Sequence, residues 1–208
     1  MGIKSLIAGM NEQTTLEGIS PTGAQSAAIT YGSQFTTTTL GRRLRNCEDV
    51  VGIIAKNETK HVVSCGDWSM EHLVAHLADQ IGPVDLMFAT WSVNDAALAR
   101  LVTAIEQGAI RSCRAIFDWR VKVRKPNAHT MISAAMPKAD IRLTSSHAKV
   151  YIMRNGDRAI SVVSSANLTT NPRIEATVIT DSIDVYEFHK TWMDAELAHA
   201  KPFEDDTK

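Results

Sequence analysis

His147 and Lys149 stand two residues apart in the stretch from Ser145 to Glu175, SSHAKVYIMRNGDRAISVVSSANLTTNPRIE, and Ser165, Asn167 and Glu175 follow within it. These residue types suit a phosphodiester. A neutral imidazole can attack phosphorus while an ammonium and a carboxamide hold the non-bridging oxygens, whose charge grows in the transition state. A carboxylate such as Glu175 can hydrogen-bond the other ring nitrogen and fix the tautomer. The leaving alkoxide also needs a proton, which a second histidine opposite the first would supply. Only one such stretch exists in the chain, so the economical arrangement is a twofold dimer with two copies of His147 across one shared site.

Positioning these groups calls for a β-hairpin. Residues i and i+2 of a strand face the same side, so His147 and Lys149 can meet one substrate while Ala148, Val150 and Ile152 pack behind them. Asn155-Gly156 tolerates φ > 0 at both residues and is a strong hairpin signal. Folding back there brings Ser165 and Asn167 beside His147.

Around the hairpin the pattern alternates. Short apolar runs over Val50–Ile54 and His61–Ser64 predict strands. Ser69 caps a helix over Met70–Gln80, closed by Pro83, and Val84–Trp91 reads as a buried strand. Asn94 or Asp95 caps a helix to about Gln107, ended by Gly108. Ala109–Trp119 is a strand, Asn127–Met136 a helix stopped by Pro137, Ala139–Leu143 a strand, Arg173–Thr180 another, and Ile183–Ala198 a final helix. The fold class is α/β, a mixed central β-sheet flanked by helices on both faces. Residues 1–38, rich in Thr, Ser, Gly and Ala without a sustained period, are expected to be a flexible or arm-like lead-in. Residues 39–200 form the catalytic domain and 201–208 an acidic tail.

His147-x-Lys149, then Ser165-x-Asn167, then Glu175, resembles the signature of the phospholipase D superfamily, and the chain length resembles its single-motif nuclease branch. The motif-bearing segment covers about a seventh of the chain. The resemblance implies a phospholipase D-like sandwich and one metal-independent site per dimer, with no cofactor. It gives His147 the role of nucleophile from one subunit and general acid from the other, through a covalent phosphohistidine. Lys149, Ser165 and Asn167 would bind phosphate and Glu175 would orient the histidine. The fuller signature has an Asp five residues after the Lys, where this chain has Arg154. Nuclease-like members often lack that Asp, so the departure weakens a phospholipase reading more than a nuclease one.

The chain has 208 residues, a net charge of −1 and 44% hydrophobic residues, the balance of an ordinary soluble globular protein. Total charge gives no argument for a nucleic-acid partner, but its distribution does. Arg111, Arg114, Arg120, Lys122, Arg124 and Lys125 face a single Asp118 in one run, the expected nucleic-acid-binding surface. Cys47, Cys65 and Cys113, three and widely spaced, read as reduced thiols of a cytoplasmic protein. No apolar run reaches the roughly 18 residues that span a bilayer, so no membrane association is expected. His72 and His76 are four apart on a helix, but no third metal ligand is evident and a solvated helix face is the better reading. Trp68, Trp91, Trp119 and Trp192 read as core or dimer-interface residues, with Trp119 alone inside the basic run. The leading expectation is a DNA endonuclease acting as a homodimer. The alternative is a nucleic-acid-binding or assembly protein with the same fold and little catalysis. A lipid phosphodiesterase ranks last, for want of a membrane-docking segment.

Overall fold

The computed structural model describes residues 35–40, 46–64, 66, 68–170 and 173–203, the first of these as backbone only. Nine strands form one mixed sheet: β1 (Phe35–Leu40), β2 (Thr59–Ser64), β3 (Val84–Thr90), β4 (Ile110–Asp118), β5 (Asp140–Thr144), β6 (Val150–Asn155), β7 (Arg158–Ser164), β8 (Glu175–Asp181) and β9 (Lys201–Pro202). Their order across the sheet is β1-β2-β8-β7-β6-β3-β4-β5-β9. β3, β4 and β5 run parallel, while β6 returns antiparallel on β3 and opens the antiparallel set β6, β7, β8 and β2.

Alternation along the strands sorts the core into two layers, because successive side chains point to opposite faces. Leu86 and Phe88 of β3 join Tyr151 and Met153 of β6 on the face covered by α1 (Cys47–Val51), α2 (Met70–Ile81), α3 (Asp95–Glu106) and α5 (Asn127–Ala135). Met87 and Ala89 join Val150 and Ile152 on the other face, against Tyr186, Met193 and Leu197 of α6 (Ile183–His199). Helices thus cover both faces, as the sequence pattern indicates. The larger layer stacks Phe88 on Tyr151 and sets Phe88 edge-on to Phe117, with ring centroids 5.9 and 5.6 Å apart.

Local chemistry sets the element ends. Asn94 caps α3, its Oδ1 accepting the Ala97 N–H at 2.8 Å. The hairpin turn is Gly156-Asp157, with Asn155 already paired to Arg158 across the ladder. Glycine therefore leads a two-residue turn at φ +59°, and among the described residues only Asn57 is a non-glycine with positive φ. The turn falls one residue later than Asn155-Gly156 suggests.

One expected strand needs correction. Val50–Ile54 is no strand: Asn46 Oδ1 accepts the Asp49 N–H at 2.8 Å, and with Glu48 and Asp49 in the first turn the segment begins as helix α1. Arg120–Arg124, to which the sequence pattern assigns no element, forms the short helix α4. The lead-in over residues 1–38 lies outside the described residues except for its last four, which belong to β1 and the parallel pairing with β2. The tail begins as β9 on β5 and buries Phe203 against His129 and Phe117; residues 204–208 lie outside the described residues. Among the described residues no helix is long and apolar enough to cross a membrane.

Candidate active site

The C-terminal ends of the parallel strands β3, β4 and β5 meet the start of β6, the end of β7 and the start of β8 along one edge of the sheet. Strand direction switches between β3 and β6, which sets the start of β6 beside the C-terminal end of β3. The segment 145–149 leaves β5 and crosses the ends of β4 and β3 to reach β6. His147 and Lys149 ride on this crossover, just ahead of the strand on which the sequence places them.

His147 is exposed and Lys149 is 8% exposed. Lys149 Nζ lies 3.1 Å from His147 Nδ1 and donates to the His147 carbonyl at 2.6 Å. With the ammonium donating to Nδ1, that nitrogen is the acceptor and the neutral ring carries its proton on Nε2. Burial holds the Lys149 pKa below the usual lysine value, while the nearby carboxylates of Glu175 and Asp118 oppose that shift.

Ser164 closes the β6–β7 ladder by donating its N–H to the Lys149 carbonyl at 3.0 Å, which sets the next residues beside the crossover. Ser165 exchanges backbone and hydroxyl bonds with Ala176, and its Oγ donates to Glu175 Oε2. Ser165 and Glu175 therefore act as a pair, and the charge of Glu175 reaches Lys149. Asn167 lies on the loop leaving β7, with its Oδ1 buried and without a hydrogen-bond partner. The next residue anchors that loop: the Leu168 N–H donates to Thr90 Oγ1 at 3.2 Å, and the Asn94 N–H donates to the Leu168 carbonyl at 3.2 Å.

Two features of the site are not singled out by the sequence. Asp118, fully buried at the end of β4, holds Arg120 through two contacts of 2.6 and 3.1 Å and accepts the Ser146 N–H at 3.3 Å. It thereby ties the crossover carrying His147 to the sheet edge. Burial works against its charge, but the Arg120 side-chain and backbone hydrogen bonds, with the Arg120 charge and the Ser146 N–H, outweigh burial and lower its pKa. Trp91, directly after β3, sets its ring 5.3 Å from that of His147. Arg120, Arg124 and Lys149 lie 5.3, 5.4 and 5.9 Å from the Trp91 ring centre. Arg120 also lies 5.5 Å from Trp119, which is 53% exposed. Trp91 and Trp119 therefore belong to the site's surroundings, whereas Trp68 is buried in the core and Trp192 packs on the α6 layer.

The basic run does not form one surface. Arg111 is at the far end of β4, bonded to Asp85 and Asn155, and Arg114 pairs with Asp194 on α6. Arg120, Lys122 and Arg124 follow on α4 at the site's end, and Lys125, its C-cap, makes a 2.8 Å pair with Asp95. Arg154 also lies away from the site, paired at 2.9 Å with Glu187. His72 accepts the Ser69 N–H at 3.3 Å, and His76 meets the Gly52 carbonyl at 2.9 Å, so both serve helix contacts rather than facing solvent freely. Among the described residues no group of three or more His, Cys, Asp or Glu is arranged to hold a metal ion. Cys47 and Cys113 are buried free thiols, each pushed up to about 12 by burial; Cys65 lies outside the described residues.

No family model and no curated protein matches the sequence. Solved structures do match in three dimensions. A phospholipase D family member, Nuc from Salmonella typhimurium, superposes with a TM-score of 0.51 at 20% identity, over 69% of this chain and 96% of its own. The chain has the phospholipase D-like fold. NucT from Helicobacter pylori gives a TM-score of 0.51 at 17% identity, over 70% of this chain and 99% of its own. A phosphatidylserine synthase from Haemophilus influenzae Rd KW20 gives 0.51 at 13% identity, over 69% of this chain and 39% of its own. At these identities the likeness is one of fold. In this phospholipase D-like fold the crossover carries His147 and Lys149, and the β7–β8 connection Ser165 and Asn167, to the end of the sheet where Glu175 begins β8.

Proposed function

We propose that the chain is a metal-independent phosphodiesterase acting on nucleic acid, a DNA endonuclease working as a homodimer. The observation that supports this most is the contact between Lys149 and His147 at the sheet edge, beside the Ser165–Glu175 pair. Lys149 is nearly buried yet partnered by neutral atoms of His147, so its ammonium is ready for an anionic oxygen. An arriving phosphodiester draws Lys149 from Nδ1, which frees Nδ1 to take the proton and leaves Nε2 as nucleophile.

The histidine Nε2 then forms a bond to phosphorus as the P–O bond to the leaving alkoxide breaks. The alkoxide takes a proton from the other protomer's copy of His147. In the second step that deprotonated ring accepts a proton from water, whose oxygen attacks phosphorus and displaces the first histidine. Lys149 and the Asn167 Nδ2 amide donate to the non-bridging oxygens, and Ser165 joins them by turning its hydroxyl from Glu175 Oε2 to the phosphate. Glu175 supports the electrostatics through Lys149 and Ser165. Arg120 and Arg124, gathered on Trp91, provide contacts for the flanking backbone, so binding falls as salt rises.

Brief reaction with the same oligonucleotide labelled at its 5′ end and, separately, at its 3′ end, each quenched in alkali, tests the covalent step, since one of the two fragments stays on the histidine. The reading expects label on the protein that is stable to base, released by acid and absent from His147→Ala. Label retained by His147→Ala, or no label under conditions that cleave the strand, contradicts it.

A further inference from the structure

A cavity of about 300 Å³ lies on the α2/α3 face of the sheet, remote in chemistry from the phosphate-binding groups. Ala75, Ala78 and Ala104 line it where the two helices approach, and their short side chains leave room that larger residues would fill. Phe88 and Leu101 make its walls apolar. His72, Asp79, Arg100, Thr103 and Gln107 add polar groups at its more exposed margin, and two polar groups of the lining are buried with an atom left unpartnered.

The first is Glu71, whose side chain is 3% exposed. Its Oε1 accepts the Ser69 hydroxyl at 2.5 Å and stands 3.8 Å from Arg100 Nε, while Oε2 is buried without a partner. The second is Tyr151, fully enclosed, whose hydroxyl also has no partner in hydrogen-bonding geometry. Its polar neighbour Thr90 already donates to the Ser92 carbonyl at 3.1 Å and receives the Leu168 N–H at 3.2 Å. Burial raises the Tyr151 pKa, the Thr90 hydroxyl, whose second lone pair is open to the Tyr151 proton, lowers it, and the charge of Glu71 raises it further; Glu71 and Tyr151 both line the cavity.

Buried polar atoms are rarely left unmade, and each of these lacks a complementary group. Arg100 already balances the Glu71 charge, which favours a neutral donor over a second cation. A hydroxyl can donate to Glu71 and accept from Tyr151 with one oxygen. We propose that this cavity binds a small neutral alcohol or phenol, its apolar body between α2 and α3 and its hydroxyl between Glu71 Oε2 and the Tyr151 hydroxyl.

Titration of the full chain with 4-ethylphenol and with ethylbenzene, followed by protein methyl NMR shifts, tests this. Saturable 1:1 binding of 4-ethylphenol is expected at a Kd of about 1 mM or tighter, with ethylbenzene at least about tenfold weaker. Ala104→Leu, which fills the space, is expected to abolish binding while the remaining resonances keep their dispersion. Absence of saturable binding overturns the proposal and leaves the cavity to water. Equal affinity for the two probes overturns hydroxyl recognition, and this comparison on the wild type stands even where the filled variant does not fold.

Discussion

The Lys149 ammonium is almost wholly out of water, and two carboxylates oppose the downward shift that burial gives its pKa. Burial penalises the charged form, so this group weakens the fold below its native pKa. As pH rises through that pKa the native state gives up a proton that the unfolded chain still holds, and stability gains from the group. Removing the Glu175 charge takes away one of the two influences that hold the pKa up. Glu175→Gln is therefore expected to move the alkaline limb of the kcat/KM profile to lower pH; an unmoved limb would show that Glu175 does not act through Lys149. The Asp118 pKa is lowered as well, but for a carboxyl group that means the fold favours the charged form, so its contribution is present above the unfolded carboxylate pKa and is lost as pH falls through the native one. Asp118→Asn leaves Arg120 with a weaker partner and is expected to cost about 2 kcal/mol, less than a fully buried pair because Arg120 is partly exposed, as measured by urea unfolding. Rescue of activity at higher phosphate-substrate concentration would separate a binding loss from misplacement of His147.

At the scale of elements, what could be read from sequence was whatever sits close along the chain. His147 and Lys149 directly precede the hairpin and Ser165 and Glu175 follow it, so the hairpin fold-back signalled by Asn155-Gly156 suffices to bring them to one end of the sheet. Trp91 and Asp118 belong to β3 and β4, whose adjacency to β6 is a matter of strand order, and no local pattern encodes that. Helix α4 was hidden for a different reason: five residues, three of them cationic, carry too little periodicity to stand out. The basic run was legible as composition, but the end of β4 divides it, sending Arg111 and Arg114 one way and α4 the other. The exposed indole at the start of α4 makes its own prediction. Trp119→Ala is expected to weaken binding of single strands by about 1–2 kcal/mol and of duplex by less, as read by filter binding at fixed salt, since an indole face reaches only an unstacked base. Equal losses on both would make Trp119 a generic surface contact. The turn is similarly testable: Gly156→Ala places a Cβ at φ +59° in open space, so backbone strain alone is expected to lower stability by about 1 kcal/mol.

For the whole molecule, the sheet with its two helix layers was readable because both faces of the parallel strands are apolar, while the edges were not. β1 and β9 are edge strands made by segments whose composition suggests a lead-in and a tail. The single signature per chain carries the further expectation of a shared site. Mixing wild type with His147→Ala in excess is expected to depress activity below simple dilution, because mixed dimers lack one of the two histidines. Activity that follows the wild-type fraction linearly would favour a complete site in each chain.

The most direct test is cleavage of plasmid and single-stranded DNA in excess EDTA, with wild type beside His147→Ala at low and moderate salt. The account predicts cleavage by the wild type, weaker as salt rises, and a loss of at least about a thousandfold in His147→Ala with DNA binding retained. No cleavage by the wild type with or without divalent metal, together with equal DNA retention by both proteins, would contradict it and make this phospholipase D-like chain a binding protein.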